Sequence, residues 1–415
     1  MESVVHFRQL GFMKVITRGK FAIAFLLIFA AFGCVRDTVV ETGNSAGQRP
    51  EQARQKISPT PAAMIAPLNE KADRELERAI VEIAANAGGK VGVGTVLLET
   101  GDAAWLNKGE KFATQSVYKV PIAMAALKMV DDGKVRIDQD ISVTPDDYVR
   151  RGYHSPIRNL FPQGTSLPLT TILYYSISES DGSANDVLLD MAGGPPAVQN
   201  YLATFGIKDF IVADSTKAIS MDWDAQYRNY ATPAESINLL RAIAERKANL
   251  SNFANDLLIE FMSRSKTGRR RLKRGLPEGA VLAHKTGTGG TESQVPGSHR
   301  SEEEEDIGDR EPGPKTRPTP KAKASPTRRK IDRKTSANSN ANEVEKPAGP
   351  VVSATNDVGI ITLPDGRHIL IAVYIQDSTA DGWTRERVIA DIAKAVCTRW
   401  TTGEIPEMAN YGAKS

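Results

Sequence analysis

Ser116 and Lys119 stand three residues apart in ATQSVYKVPIA, residues 113–123, at the head of an apolar run. Positions i and i+3 of a helix lie on one face, so an amine at 119 can reach a hydroxyl at 116. A serine is a weak nucleophile until a base takes its proton, and a lysine of lowered pKa can be that base. A helix N-terminus adds backbone N–H groups and a positive dipole end, both suited to a developing oxyanion. The plain reading of Ser116 is an N-cap. Two further stretches favour chemistry. SESDGSAND, residues 178–186, places Ser180, Asp181 and Gly182 after a helix. HKTGTGG, residues 284–290, places Lys285, Thr286, Gly287 and Thr288 on a strand before a turn.

The elements around these residues imply an α/β body. Leu68 to Ala84 carries helical apolar spacing through Leu68, Ala72, Leu76, Ile80 and Ile83. KVGVGTVLLETGDAAWLN reads as two strands about a turn at Gly101-Asp102. A helix is expected from Ser116 to Met129, with more helices through Leu202. ATNDVGIITLPDGRHILIAVYI reads as a hairpin about Pro364-Asp365-Gly366. A last helix is expected from Thr384 to Trp400, with Val388, Ile389, Ile392 and Val396 on one face and Cys397 in the core. Strands at both ends with helices between them predict a sheet assembled from both chain ends, beside an all-helical lobe.

A lone S-x-x-K or K-T-G says little, but the ordered trio S-x-x-K, S-D-x, K-T-G is specific. In that trio the chain resembles the class A serine β-lactamases, within the β-lactamase and penicillin-binding-protein superfamily. RLKRGLPEGAVLAHKTGTGG, QYRNYATP and TNDVGIITLPDGR extend the resemblance, which covers Leu68 to Trp400 apart from one insertion. It is similar to the branch with an aspartate soon after S-D-x, here Asp186. The resemblance implies a serine hydrolase of antiparallel sheet and helical lobe, with the site between them. It implies Ser116 as the acylated nucleophile and Lys119 as acceptor or relay of its proton. Ser180 would pass a proton to the β-lactam nitrogen, and Lys285 would govern that path and attract the substrate carboxylate. Thr286 and Thr288 would bind the carboxylate, and the N–H groups of Ser116 and Thr288 would form the oxyanion hole. Gly287 belongs to the same substrate-binding strand. Arg271 has two readings of equal weight, a support for that carboxylate or a surface residue in the run Arg269 to Arg274. Tyr153 or His154 would form an aromatic rim.

The chain departs from the family pattern twice. Gly182 stands where the family has an asparagine that touches the substrate side chain and the catalytic lysine. Counting back from Gln226, Thr216 stands where the family has the glutamate that activates the deacylating water. No glutamate occurs between Glu179 and Glu235, and Asp214 is the nearest carboxylate. β-Lactam amide hydrolysis with impaired deacylation is therefore expected. The alternatives are a D-Ala-D-Ala-directed peptidase and a receptor for β-lactam or peptidoglycan that acylates and stops.

Composition narrows the classes. The chain has 415 residues and a net charge of +3, which gives no argument for nucleic acid. Two cysteines, Cys34 and Cys397, exclude a disulfide framework and a thiolate zinc finger. No cofactor, metal or nucleic-acid partner is expected, and the protein is expected to be a monomer. Residues 1–34 read as a signal peptide: Lys14, Arg18 and Lys20 precede an apolar Phe21–Ala30 and then Cys34. A lipid anchor on Cys34, a cleaved secreted form and an uncleaved anchor all stay open, and each exports the protein to the periplasm or its facing membrane. Residues 35–67 read as a tether. Residues 68–292 and 351–402 carry the two parts of the catalytic domain, and 403–415 form a tail. Residues 293–350, acidic and then basic with prolines, read as a disordered insertion.

Overall fold

The computed structural model of the protein describes residues 68–290 and 351–407. The leader, the tether, the insertion and residues 408–415 of the tail lie outside the described residues.

Six strands form the main sheet, in the order Lys71–Ala72, Asp102–Leu106, Lys90–Leu97, His368–Ser378, Val352–Thr362, Val281–Thr288. All neighbours are antiparallel except the short first pair. The sheet is thus built from both ends of the domain.

Both faces of this sheet are covered, which explains the unbroken apolar run HILIAVYI. Successive side chains of a strand point to opposite faces. Ile369, Ile371, Val373 and Ile375 join one core with the terminal helices, through Leu76, Ile80, Val388, Ile392 and Val396. Leu370, Ala372 and Tyr374 join the other core, with Met124, Leu127, Leu173, Ile177 and Leu188 of the helical lobe. Burial of both faces is what hides the period-2 alternation in the sequence.

The apolar spacing predicts a helix from Leu68, but the helix runs Arg74–Ala84. Asp73 sets the start: its carboxylate accepts the N–H of Leu76 at 3.1 Å. Lys71 and Ala72 pair instead with Asp102 and Ala103. The closing helix runs Gly382–Thr402, capped by Asp381, with Val388, Ile389, Ile392, Val396 and Cys397 buried. The hairpin turns as expected, with Gly366 at φ +89° in the left-handed region.

The insertion leaves and rejoins at one point. Thr288 pairs with Thr355 in the sheet. Gly289 N donates to Ala354 O at 2.9 Å, and Ser353 N donates to Gly290 O at 3.1 Å.

Candidate active site

The segment that carries Ser116 differs in detail from a simple helix start. Gln115–Tyr118 form one 3-10 turn, and the α-helix Lys119–Asp131 follows. Ser116 therefore lies inside the turn, half-buried, and caps nothing. The residue before it, Gln115, takes φ +47°, a conformation costly for a side chain with a Cβ. Its surroundings hold it there. Gln115 Nε2 donates to Gln226 Oε1 at 2.9 Å. Thr114 N donates to Asn229 O at 2.9 Å, and Asn356 Nδ2 donates to Ala113 O at 2.8 Å.

Lys119 is 2 % exposed. The sequence puts it within reach of Ser116; the hydrogen bond its amine makes runs to the backbone carbonyl of Ser180. Burial lowers its pKa to about 8, against the pull of the Asp181 and Asp186 charges.

Ser180 also lies in the left-handed region, at φ +61°. Asp181 fixes it from the next position. Its Oδ1 caps the helix Gly182–Met191 by accepting Ala184 N at 2.9 Å, and its Oδ2 accepts Ile157 N at 2.7 Å. That anchoring role went unassigned in the sequence, although an aspartate one residue before a helix is a recognisable cap. Lys285, fully buried in the strand Val281–Thr288, donates to Ser180 Oγ at 2.7 Å. Burial, with the Lys119 cation nearby, holds the Lys285 amine well below the usual lysine range. Two distant stretches thus converge on Ser180: Lys119 on its carbonyl, Lys285 on its hydroxyl.

Arg271 is not a surface residue of the basic run, being 6 % exposed. Its guanidinium donates to Gly287 O at 3.2 Å, Asn356 O at 3.0 Å and Thr288 Oγ1 at 2.8 Å, and pairs with Glu386. The fork therefore stiffens the edge strand and puts its charge beside Thr288. Thr286 shares a hydroxyl contact of 2.6 Å with Thr267. Gly287 is required sterically: a Cβ there would stand 2.4 Å from Thr114 O. Of the two rim candidates, Tyr153 is half-buried, and His154 is exposed with Nε2 2.9 Å from the Glu179 carbonyl.

Comparison with known proteins gives the family. The model of the Beta-lactamase enzyme family matches residues 75–297. β-Lactamase VEB-1 of Pseudomonas aeruginosa is 31% identical over 306 residues, 74% of this chain and 83% of that protein. Extended-spectrum β-lactamase PER-1, also of Pseudomonas aeruginosa, is 32% identical over 70% of this chain and 75% of its own length. The crystal structure of a β-lactamase from Chitinophaga pinensis superposes with TM-score 0.63 at 32% identity, over 79% of this chain and all of the other. The chain belongs to the class A serine β-lactamase family. The two positions that the sequence reading sets apart from the class A pattern, 182 and 216, meet in space. Gly182 opens the helix Gly182–Met191, and Thr216 opens the short helix Thr216–Met221 packed beside it. A Cβ on Gly182 would stand 2.9 Å from Thr216 Cγ2. Tyr118, which lies between Ser116 and Lys119, touches the same residue, its OH 2.7 Å from Thr216 Oγ1. Asp214, the carboxylate nearest Thr216 in the sequence, is held by Arg228 through two contacts, at 2.7 and 3.2 Å.

Proposed function

We propose that this chain is a β-lactam-hydrolysing serine enzyme that acylates on Ser116 and deacylates slowly. The convergence of Lys119, three residues from Ser116, and of Lys285 on Ser180 carries the reading. Neutral Lys119 takes the Ser116 proton as Oγ attacks the lactam carbonyl. The N–H groups of Ser116 and Thr288 stabilise the oxyanion. As the C–N bond breaks, Ser180 Oγ gives its proton to the ring nitrogen and regains one from the Lys285 side. Arg271, Thr288 and Thr286 set a positive, hydroxyl-lined rim for the substrate carboxylate.

Deacylation needs a water and a base. Position 216 offers a hydroxyl where the family has a carboxylate. Asp214 is committed to Arg228, which supports leaving it out of the chemistry. Loss of a general base costs roughly 10²–10⁴-fold, or about 3–5 kcal/mol of barrier. The same loss favours a second reading, a β-lactam receptor that acylates and stops. The leader supports action outside the cytoplasm, with Cys34 as the lipid-anchor candidate.

Intact-protein mass spectrometry after mixing with a penicillin tests this. A lasting adduct of one penicillin mass, absent from Ser116→Ala, is expected. Undiminished labelling of Ser116→Ala overturns the nucleophile. Multiple turnover of a chromogenic cephalosporin separates enzyme from receptor, and release of D-Ala from a peptide marks a peptidase.

A further inference from the structure

The residue in place of the glutamate is not isolated from a carboxylate. Asp186, on the helix Gly182–Met191, is 6 % exposed. Its Oδ1 accepts Thr216 N at 2.8 Å, and its Oδ2 accepts Lys217 N at 2.7 Å. The Thr216 hydroxyl also stabilises this carboxylate, while burial still pushes its pKa above the usual aspartate value. On the other side, the Thr216 hydroxyl meets Tyr118 OH at 2.7 Å. Thr216 itself is only half-buried. It thus lies between a buried carboxylate and the segment that carries the nucleophile.

A hydroxyl has one proton to donate and two lone pairs to accept with. With the Thr216 hydroxyl turned toward the Asp186 carboxylate that it stabilises, Tyr118 OH is the donor in their 2.7 Å contact, and one lone pair is left on Thr216 Oγ1. We propose that this lone pair receives the proton of the deacylating water, and that Asp186 is the final acceptor through the Thr216 hydroxyl. This inference rests on the acyl-enzyme reading above and names the groups that carry its slow second step. The water oxygen forms a bond to the ester carbonyl carbon of the acyl-enzyme. One water proton passes to Thr216 Oγ1 as the Thr216 proton passes to an Asp186 oxygen. The tetrahedral intermediate then collapses, the bond from carbon to Ser116 Oγ breaks, and Ser116 Oγ leaves with a proton from Lys119. Asp186 then gives up its proton through the same hydroxyl to solvent, which replaces the proton that the Lys285 side gave to the ring nitrogen, and the product leaves as the acid. Thr216 is the catalytic residue and Asp186 acts through it. A carboxylate acting at one remove, with its position fixed by two backbone N–H groups, is a weaker base arrangement than a glutamate on the water, which fits slow deacylation.

The experiment compares Thr216→Val and Thr216→Ser in the full chain with penicillin, reading adduct formation and adduct decay separately by quenched mass spectrometry. Valine keeps the Thr216 methyl contact and the backbone N–H to Asp186 but removes the relay; serine keeps the relay. Thr216→Val is expected to lengthen the adduct lifetime tenfold or more relative to its acylation rate. Thr216→Ser is expected to stay within about threefold of wild type. Asp186→Asn is expected to match Thr216→Val, and the double variant to be no slower than either. The Val and Ser pair keeps the test valid if Asp186→Asn fails to fold. Equal lifetimes for wild type and Thr216→Val, or a Thr216→Ser as slow as Thr216→Val, overturn the inference alone. Absence of any adduct in the wild type overturns the proposed function and this inference with it.

Discussion

Gly182 and Thr216 occupy one space: a Cβ added to Gly182 would stand 2.9 Å from Thr216 Cγ2, 3.2 Å from Val149 Cγ1 and 3.3 Å from His154 O. Threonine at 216 therefore accounts for glycine at 182. Gly182→Asn is expected to destabilise the protein by about 1–3 kcal/mol through overpacking. Adding Thr216→Ala should restore part of that loss. Thermal unfolding of the two variants checks it; additive losses would show that the residues do not share the space.

Thr216→Glu is expected to shorten the acyl-enzyme lifetime, by up to roughly 10²-fold, since a carboxylate then reaches the water directly. Adduct decay by quenched mass spectrometry is the measurement. A lifetime unchanged from wild type would place the slow step elsewhere than proton abstraction.

Lys119 accepts a proton only as the neutral amine, and its pKa lies at about 8. The neutral fraction rises with pH, so acylation should climb about tenfold per pH unit below 8 and level off above it. Stopped-flow acylation from pH 6 to 9.5 reads this. The linkage has the same sign. The unfolded chain keeps this proton up to the ordinary lysine value of 10.5. Lys119 therefore adds stability as pH rises between about 8 and 10.5, and none of that gain is present below 8.

Arg271→Ala should raise KM and lower stability together. It leaves the carbonyls of Gly287 and Asn356 and the Thr288 hydroxyl without their donor, at about 2 kcal/mol or more. Arg271→Lys keeps the charge but not the planar fork, so it should recover little of either. Steady-state kinetics on a chromogenic cephalosporin, with melting curves, separates this from a surface arginine, whose replacement would change neither.

Excision of residues 293–350, with the ends joined by a short turn, should leave folding and acylation intact. Gly290 and Ser353 are already hydrogen-bonded neighbours across the sheet edge. Closing a shorter loop costs less entropy, by about 0.6 kcal/mol per halving of length, so the melting temperature should hold or rise. A marked fall would show that the insertion packs on the body.

Local pattern was enough for much of this protein. The trio Ser116/Lys119, Ser180 and Lys285/Thr286/Gly287/Thr288 could be read because each motif is a short run of residue types fixed in spacing. The hairpin at Gly366 and the face of the closing helix followed from turn chemistry and from a period of 3.6. Residue identity alone also showed that no glutamate stands between 179 and 235. The early end of that reading is Leu68, where apolar spacing continued past Asp73 although one side-chain cap stops the helix there. Tertiary structure decided the rest, because those facts are contacts between residues far apart in the chain. Arg271 has two readings of equal weight in the sequence, and only the meeting of strands 281–288 and 352–362 with the closing helix around it buries it. Asp181, read as part of a motif, turned out to be the cap that aims Ser180. Lys119 received its lowered pKa from burial on every side, which no spacing encodes. The joining of Gly182, Thr216, Tyr118 and Asp186 needed two helices packed side by side, since a shared space has no signature in any one of their sequences.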